Sequence, residues 1–171
     1  MIDLDPPDDR FDTVVDAARR CKTLLDELEL TSFIKTTGSR GLHIVIPLNR
    51  SEDFDAVRDF GKDMMAQLAQ RHGDTLTTEQ RKDKRKGRLY LDIGRNAYAQ
   101  TAVAPYAVRA RDGAPVATPL DWDELGKQGL TSQTYRIDNL FKRLSQRDDP
   151  WKDMRRHATS IKAARKRLSQ L

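Results

Sequence analysis

From Phe11 the apolar positions fall three and four apart, and Val14, Ala18, Cys21, Leu25 and Leu28 form one stripe of a helix. A second stripe, Phe54, Val57, Phe60, Met64 and Leu68, predicts another helix starting near Ser51. Acidic Glu52 and Asp53 sit in its first turn, where the helix dipole favours negative charge. Elsewhere the rhythm shortens. "MIDLDP" opens as a short strand and stops at Pro6 and Pro7, while "TSFIKTT" and "LHIVIPL" flank a turn from Gly38 to Gly41 and read as a hairpin. "RLYLDI" (Arg88 to Ile93) predicts a strand, and "TAVAPYAVRA" (Thr101 to Ala110) predicts another. Pro105 lacks a ladder donor and points to an edge or a bulge there. Past Thr118 the pattern turns helical, with a short piece around Trp122, one from about Tyr135 to Leu144 and a basic one from Trp151 onward. The order β-α-β-β-α-β-β followed by helices predicts an α+β fold, a mixed or antiparallel sheet with flanking helices. One domain over residues 1–171 is expected, with the catalytic sheet and helices in 1–120 and a C-terminal helical part in 121–171.

Composition narrows the class. A chain of 171 residues is long enough for a real core, and at 33% charged its surface is heavily ionised. No apolar run approaches the roughly 20 residues of a membrane span, and no signal segment opens the chain, so the expectation is a soluble cytoplasmic protein with no membrane partner. The single cysteine, Cys21, excludes an internal disulfide framework and a cysteine-based metal site. Net charge is +5, and it is concentrated: "RKDKRKGR" (Arg81 to Arg88) carries six basic residues against Asp83, and the tail from Trp151 carries seven against Asp153. Arg81, Lys82, Lys84, Arg85 and Lys86 are therefore candidate contacts to a nucleic-acid backbone, with a merely solvated basic face as the alternative.

The chemistry gathers in three places. Asp3 and Asp5 flank Leu4 on a strand, so their side chains share a face about 7 Å apart. Side-by-side carboxylates repel unless a cation lies between them, and hard oxygen donors without cysteines favour Mg²⁺ or Mn²⁺. Asp92, at the end of "RLYLDI", is a third carboxylate, and three such groups suit two ions roughly 4 Å apart, an arrangement that drives in-line displacement at phosphorus. A D-x-D also opens haloacid dehalogenase-type phosphatases, but no adjacent acid pair follows a later apolar strand here. The turn "TTGSRG" offers the hydroxyls of Thr37 and Ser39, backbone N–H groups near Gly41 and the fork of Arg40, a set suited to phosphate. If Ile44 and Ile46 point into the core, His43 opens onto the opposite face.

"IDLDP", "KTTGSRGLHIVIPL", "LDIGRNAYAQTAVAPYAVRARDGAPVATPLDWDEL" and "DDPW" occur in the order found in the polymerase domain of bacterial DNA ligase D, which the chain resembles from Ile2 to about Trp151. Such domains belong to the archaeo-eukaryotic primase superfamily. The resemblance implies a primase-polymerase core and template-directed addition of ribo- or deoxynucleotides (NTP or dNTP) to DNA 3′ ends in non-homologous end joining. It implies two Mn²⁺ or Mg²⁺ ions on Asp3, Asp5 and Asp92. It further implies nucleotide contacts from Thr37, Arg40, His43, Arg95, Arg109 and Arg111, to which the reading of the turn adds Ser39 and Gly41. Thr37 stands where the family usually has serine and Arg40 where it usually has lysine, while Ile93 and Gly94 depart from the family pattern.

Relatives carry roughly as much chain again before their D-x-D, including groups that recognise a 5′-phosphate and template bases. An alternative follows: a nucleic-acid-binding module of the same fold with weak or lost turnover. DNA ends or a primer-template, nucleoside triphosphates, Ku and an ATP-dependent ligase are the partners the resemblance implies, with a nucleoid-associated location in a prokaryote.

Overall fold

The computed structural model describes residues 1–171. Its strands are β1 (Ile2–Asp5), β2 (Phe33–Thr36), β3 (Leu42–Val45), β4 (Leu76–Thr77), β5 (Leu89–Asp92) and β6 (Pro119–Leu120). The helices are α1 (Phe11–Glu27), α2 (Phe54–Arg71), α3 (Leu140–Gln146) and α4 (Lys162–Leu168). The strands form one mixed sheet in the order β4-β5-β1-β3-β2-β6, parallel only between β4 and β5.

Alternation decides which face is buried. Ile2 and Leu4 of β1, Ile34 of β2, Leu42 and Ile44 of β3, and Leu89 and Leu91 of β5 all enter one core. Against them pack Val14, Ala17, Ala18, Cys21, Leu24 and Leu25 of α1, and Phe60, Met64, Met65 and Leu68 of α2. Burial pushes the Cys21 thiol up to about 12, so it is an inert part of that core. The opposite face carries the polar members of the same strands. α2 begins at Phe54 because the Asp53 carboxylate caps it, accepting from the Ala56 N–H at 2.7 Å. Phe54 itself stays outside, stacked edge-on against Tyr98.

The strand expected over Thr101–Ala110 does not form. Pro105 offers no N–H, Tyr106 lies in the left-handed region (φ 63°), and only an isolated bridge between Val108 and Val116 remains. β4 and β6, two residues each, lie where no strand was expected. α3 starts five residues later than expected, at Leu140. The basic tail divides into a 3₁₀ turn at Met154–His157 and α4. Residues 121–171 share the core of the sheet: Ile161 and Ala164 are buried in it, and the Trp151 indole donates to the Ile34 carbonyl at 3.1 Å. No helix is long and apolar enough to cross a membrane.

Candidate functional site

Strand register assembles the site. Asp92, Asp3, His43 and Lys35 are directly opposed across β5, β1, β3 and β2, a single row on the polar face of the sheet. Asp5 stands two residues further along β1 on the same face, opposite Tyr90. Above Asp3 and Asp5 lies an open cleft of about 290 Å³. Thr37, Ser39, Arg40, Gly41 and His43 line it together with Arg95, Arg109 and Arg111. The chain from Thr101 to Val103, irregular rather than a strand, closes part of its wall.

The glycine turn is held by its own hydrogen bonds. The Thr37 hydroxyl donates to the Gly41 carbonyl at 3.1 Å and accepts from the Ser39 N–H at 3.2 Å. Gly38 takes φ 65°, a conformation other residues adopt only with strain. Two residues far along the chain brace the turn: Ser132 donates to the Gly41 carbonyl at 2.8 Å, and Gln133 donates to the Ser39 carbonyl at 2.8 Å. Arg109 donates to the Thr37 carbonyl at 2.7 Å. Thr37 therefore shapes the turn, and Ser39 and Arg40, both partly exposed, line the cleft.

The carboxylates differ in their company. Asp3 Oδ2 lies 3.4 Å from His43 Nε2. Asp92 Oδ1 accepts from the Gly94 backbone N–H at 2.7 Å. Asp5 is bound by guanidinium groups, at 2.8 Å from Arg85 and 3.4 Å from Arg40. Arg85 thus leaves the exposed basic run. It is buried, stacks over the Tyr90 ring at 4.3 Å and donates to the carbonyls of Glu79 and Gln80. Its neighbours Arg81, Lys82, Lys84 and Lys86 remain exposed.

No three acidic or imidazole groups already meet closely enough to make a ready metal cluster. The donor chemistry nevertheless fits hard divalent ions: three carboxylates on adjacent positions of one face, with Asp3 and Asp5 about a third exposed (30% and 31%) to the cleft.

Two residues of the row are buried with polar atoms unpaired. Lys35 is 2% exposed and its Nζ has no partner, and His43 Nδ1 has none either. Burial lowers the Lys35 ammonium to about 8; the Asp3 carboxylate opposes the shift and the Arg109 charge adds to it. Sequence reasoning missed Lys35, Ser132, Gln133 and the inward turn of Arg85. The position of Lys35 beside His43 was implicit in the hairpin, since pairing back from the Gly38–Gly41 turn opposes the two. No sequence signal marks Ser132, which meets Gly41 across 91 residues of chain.

Three comparisons bear on this geometry. The family model described as LigD, primase-polymerase domain, matches residues 1–151. The multifunctional non-homologous end joining protein LigD of Pseudomonas aeruginosa is 36% identical over 98% of this chain, which covers 20% of that protein. The bifunctional LigD of Bacillus subtilis is 33% identical over 92% of this chain, or 26% of its own length. The chain thus spans about a quarter or less of these curated relatives. The polymerase domain from Mycobacterium tuberculosis ligase D, solved in complex with DNA, superposes with a TM-score of 0.83 at 28% identity. That superposition covers 92% of this chain and 54% of the solved one.

Proposed function

The chain belongs to the LigD primase-polymerase domain family, and on that premise we propose that it adds nucleotides to DNA 3′ ends during end joining. The observation that carries the reading is the placement of Asp3 directly between Asp92 and His43, on the floor of a cleft rimmed by Arg40, Arg95, Arg109 and Arg111. Asp3, Asp5 and Asp92 would hold two Mg²⁺ or Mn²⁺ ions, which when bound lower the barrier to displacement at the α-phosphate of a ribo- or deoxynucleoside triphosphate.

The chain's own residues do the rest by placement. Arg40, Ser39 and the backbone of the turn hold the triphosphate. Arg95, Arg109 and Arg111 offset its charge. His43 presents Nε2 from the sheet floor. Arg85 and Arg40 must release at least part of Asp5 before that carboxylate can serve an ion. The same clamp favours a second reading, a DNA-binding module of this fold without turnover.

One assay separates them. With a primer-template, Mn²⁺ and either a ribo- or a deoxynucleotide, the protein should extend the primer, and Asp92→Ala should abolish extension with an unchanged unfolding transition. DNA binding without incorporation by the unaltered protein would favour the second reading. Extension by Asp92→Ala at the unaltered rate would refute the assignment of that carboxylate.

A further inference from the structure

Lys35 and His43 face each other across β2 and β3 with complementary needs. The lysine ammonium can only donate, whereas a neutral imidazole has one nitrogen that accepts. Both Lys35 Nζ and His43 Nδ1 are buried and unpaired, and leaving either so is costly. The other imidazole nitrogen, His43 Nε2, lies 3.4 Å from Asp3 Oδ2. We infer that Lys35 is a positioning residue that holds His43 in the Nε2–H tautomer, by donating to Nδ1 through a rotation of its flexible stem or through one buried water.

The consequence follows from the direction of Nε2. With Nδ1 occupied as an acceptor, the only imidazole N–H is on the side of Asp3 and the cleft, where it can donate to an anion. Without Lys35, the proton can settle on Nδ1, and Nε2 then turns a lone pair toward the carboxylate and any phosphate. A buried lysine kept only for packing would serve no better than methionine of similar shape. Removing an unpaired buried charge should leave stability equal or higher.

The tautomer is read directly from two-bond ¹H–¹⁵N correlation spectra of the neutral imidazole, assigned with His72→Gln and His157→Gln. In the unaltered protein we expect Nδ1 to be the nitrogen that carries the lone pair. Lys35→Met should shift the proton toward Nδ1, while Lys35→Gln, which retains a donor, should leave it on Nε2. The catalytic consequence rests on the proposed nucleotidyl transfer: primer extension by Lys35→Met should fall roughly tenfold in kcat, the low end for outer partners of a functional imidazole. Lys35→Gln should stay within about twofold of the unaltered rate, since it keeps the hydrogen bond. Lys35→Leu serves as the same test should Lys35→Met fail to fold. A proton already on Nδ1 in the unaltered protein, or a tautomer unmoved in the apolar variants, overturns the inference. An unaltered protein that extends no primer defeats the proposed function instead, and the spectra still decide the role of Lys35.

Discussion

Gly41 has no room for a side chain. A Cβ built there would lie 2.1 Å from the Leu4 carbonyl oxygen, on the backbone of the strand that carries Asp3 and Asp5. The glycine thus lets the turn from Gly38 to Gly41 lie directly against the carboxylate strand. Gly41→Ala must push β1 and the turn apart, because the clash is with backbone and no side chain can give way. We expect it to destabilise the protein by about 2 kcal/mol or more in chemical denaturation, on the scale of overpacking and backbone strain. A small change in the denaturation midpoint would mean that the strand and turn are less closely joined. The glycine was visible in the sequence as a possible phosphate-approach residue, but its first duty is to the neighbouring strand. Proximity between Gly41 and Leu4 is tertiary information that spacing along a chain does not carry.

Elements were legible in proportion to how long their pattern ran. α1 and α2 each repeat their stripe over four or more turns, so their existence and buried face followed from periodicity. β1, β2, β3 and β5 carry alternation over four residues, enough to place Asp3, His43 and Asp92 on the face away from the core. The two-residue strands β4 and β6 are too short to alternate, and Thr101–Ala110 had a run of apolar residues without a backbone able to pair.

Least visible was what fixes the last third of the chain. There Glu124, 2% exposed, accepts from Arg143 at 2.6 Å and from Lys127 at 2.6 Å, tying the 3₁₀ turn at Trp122–Gly126 to α3. Burial alone would raise this carboxyl, but the hydrogen bonds from Arg143 and Lys127 outweigh it and hold it at about 2, below the ordinary 4.5. The unfolded chain therefore binds more protons between those values. The contribution of Glu124 to stability is complete above about pH 4.5 and is lost as pH falls toward 2. Glu124→Gln should cost about 3 kcal/mol at neutral pH, since it leaves Arg143 buried without its counter-charge. It should also flatten the acid limb of the stability–pH curve. A variant whose acid limb matches that of the unaltered protein would show that another carboxylate governs acid unfolding.

At the scale of the whole molecule, the excess of positive charge divides between two environments within one short run. Within "RKDKRKGR", Arg85 is buried against Asp5, whereas Lys82, Lys84 and Lys86 face solvent beside it. The exposed lysines and Arg81, which pairs with Asp83 at 2.9 Å on the surface, are what remains to meet a polyanion, so composition overstated the cluster by at least one residue. If these three lysines each neutralise a phosphate, DNA affinity must fall with salt through counterion release. Replacing all three by alanine should then make the slope of log affinity against log salt shallower by about 2 to 3 on B-form DNA. Primer extension at low salt and saturating DNA should change little, because none of the three lines the cleft. A salt series with the same slope for both proteins would show these lysines to be solvated surface. In that case the arginines around the cleft would have to supply the attraction for DNA. Arg85→Ala is the contrasting variant: it frees Asp5 from its nearest cation, so its effect should fall on metal dependence and turnover rather than on the salt slope.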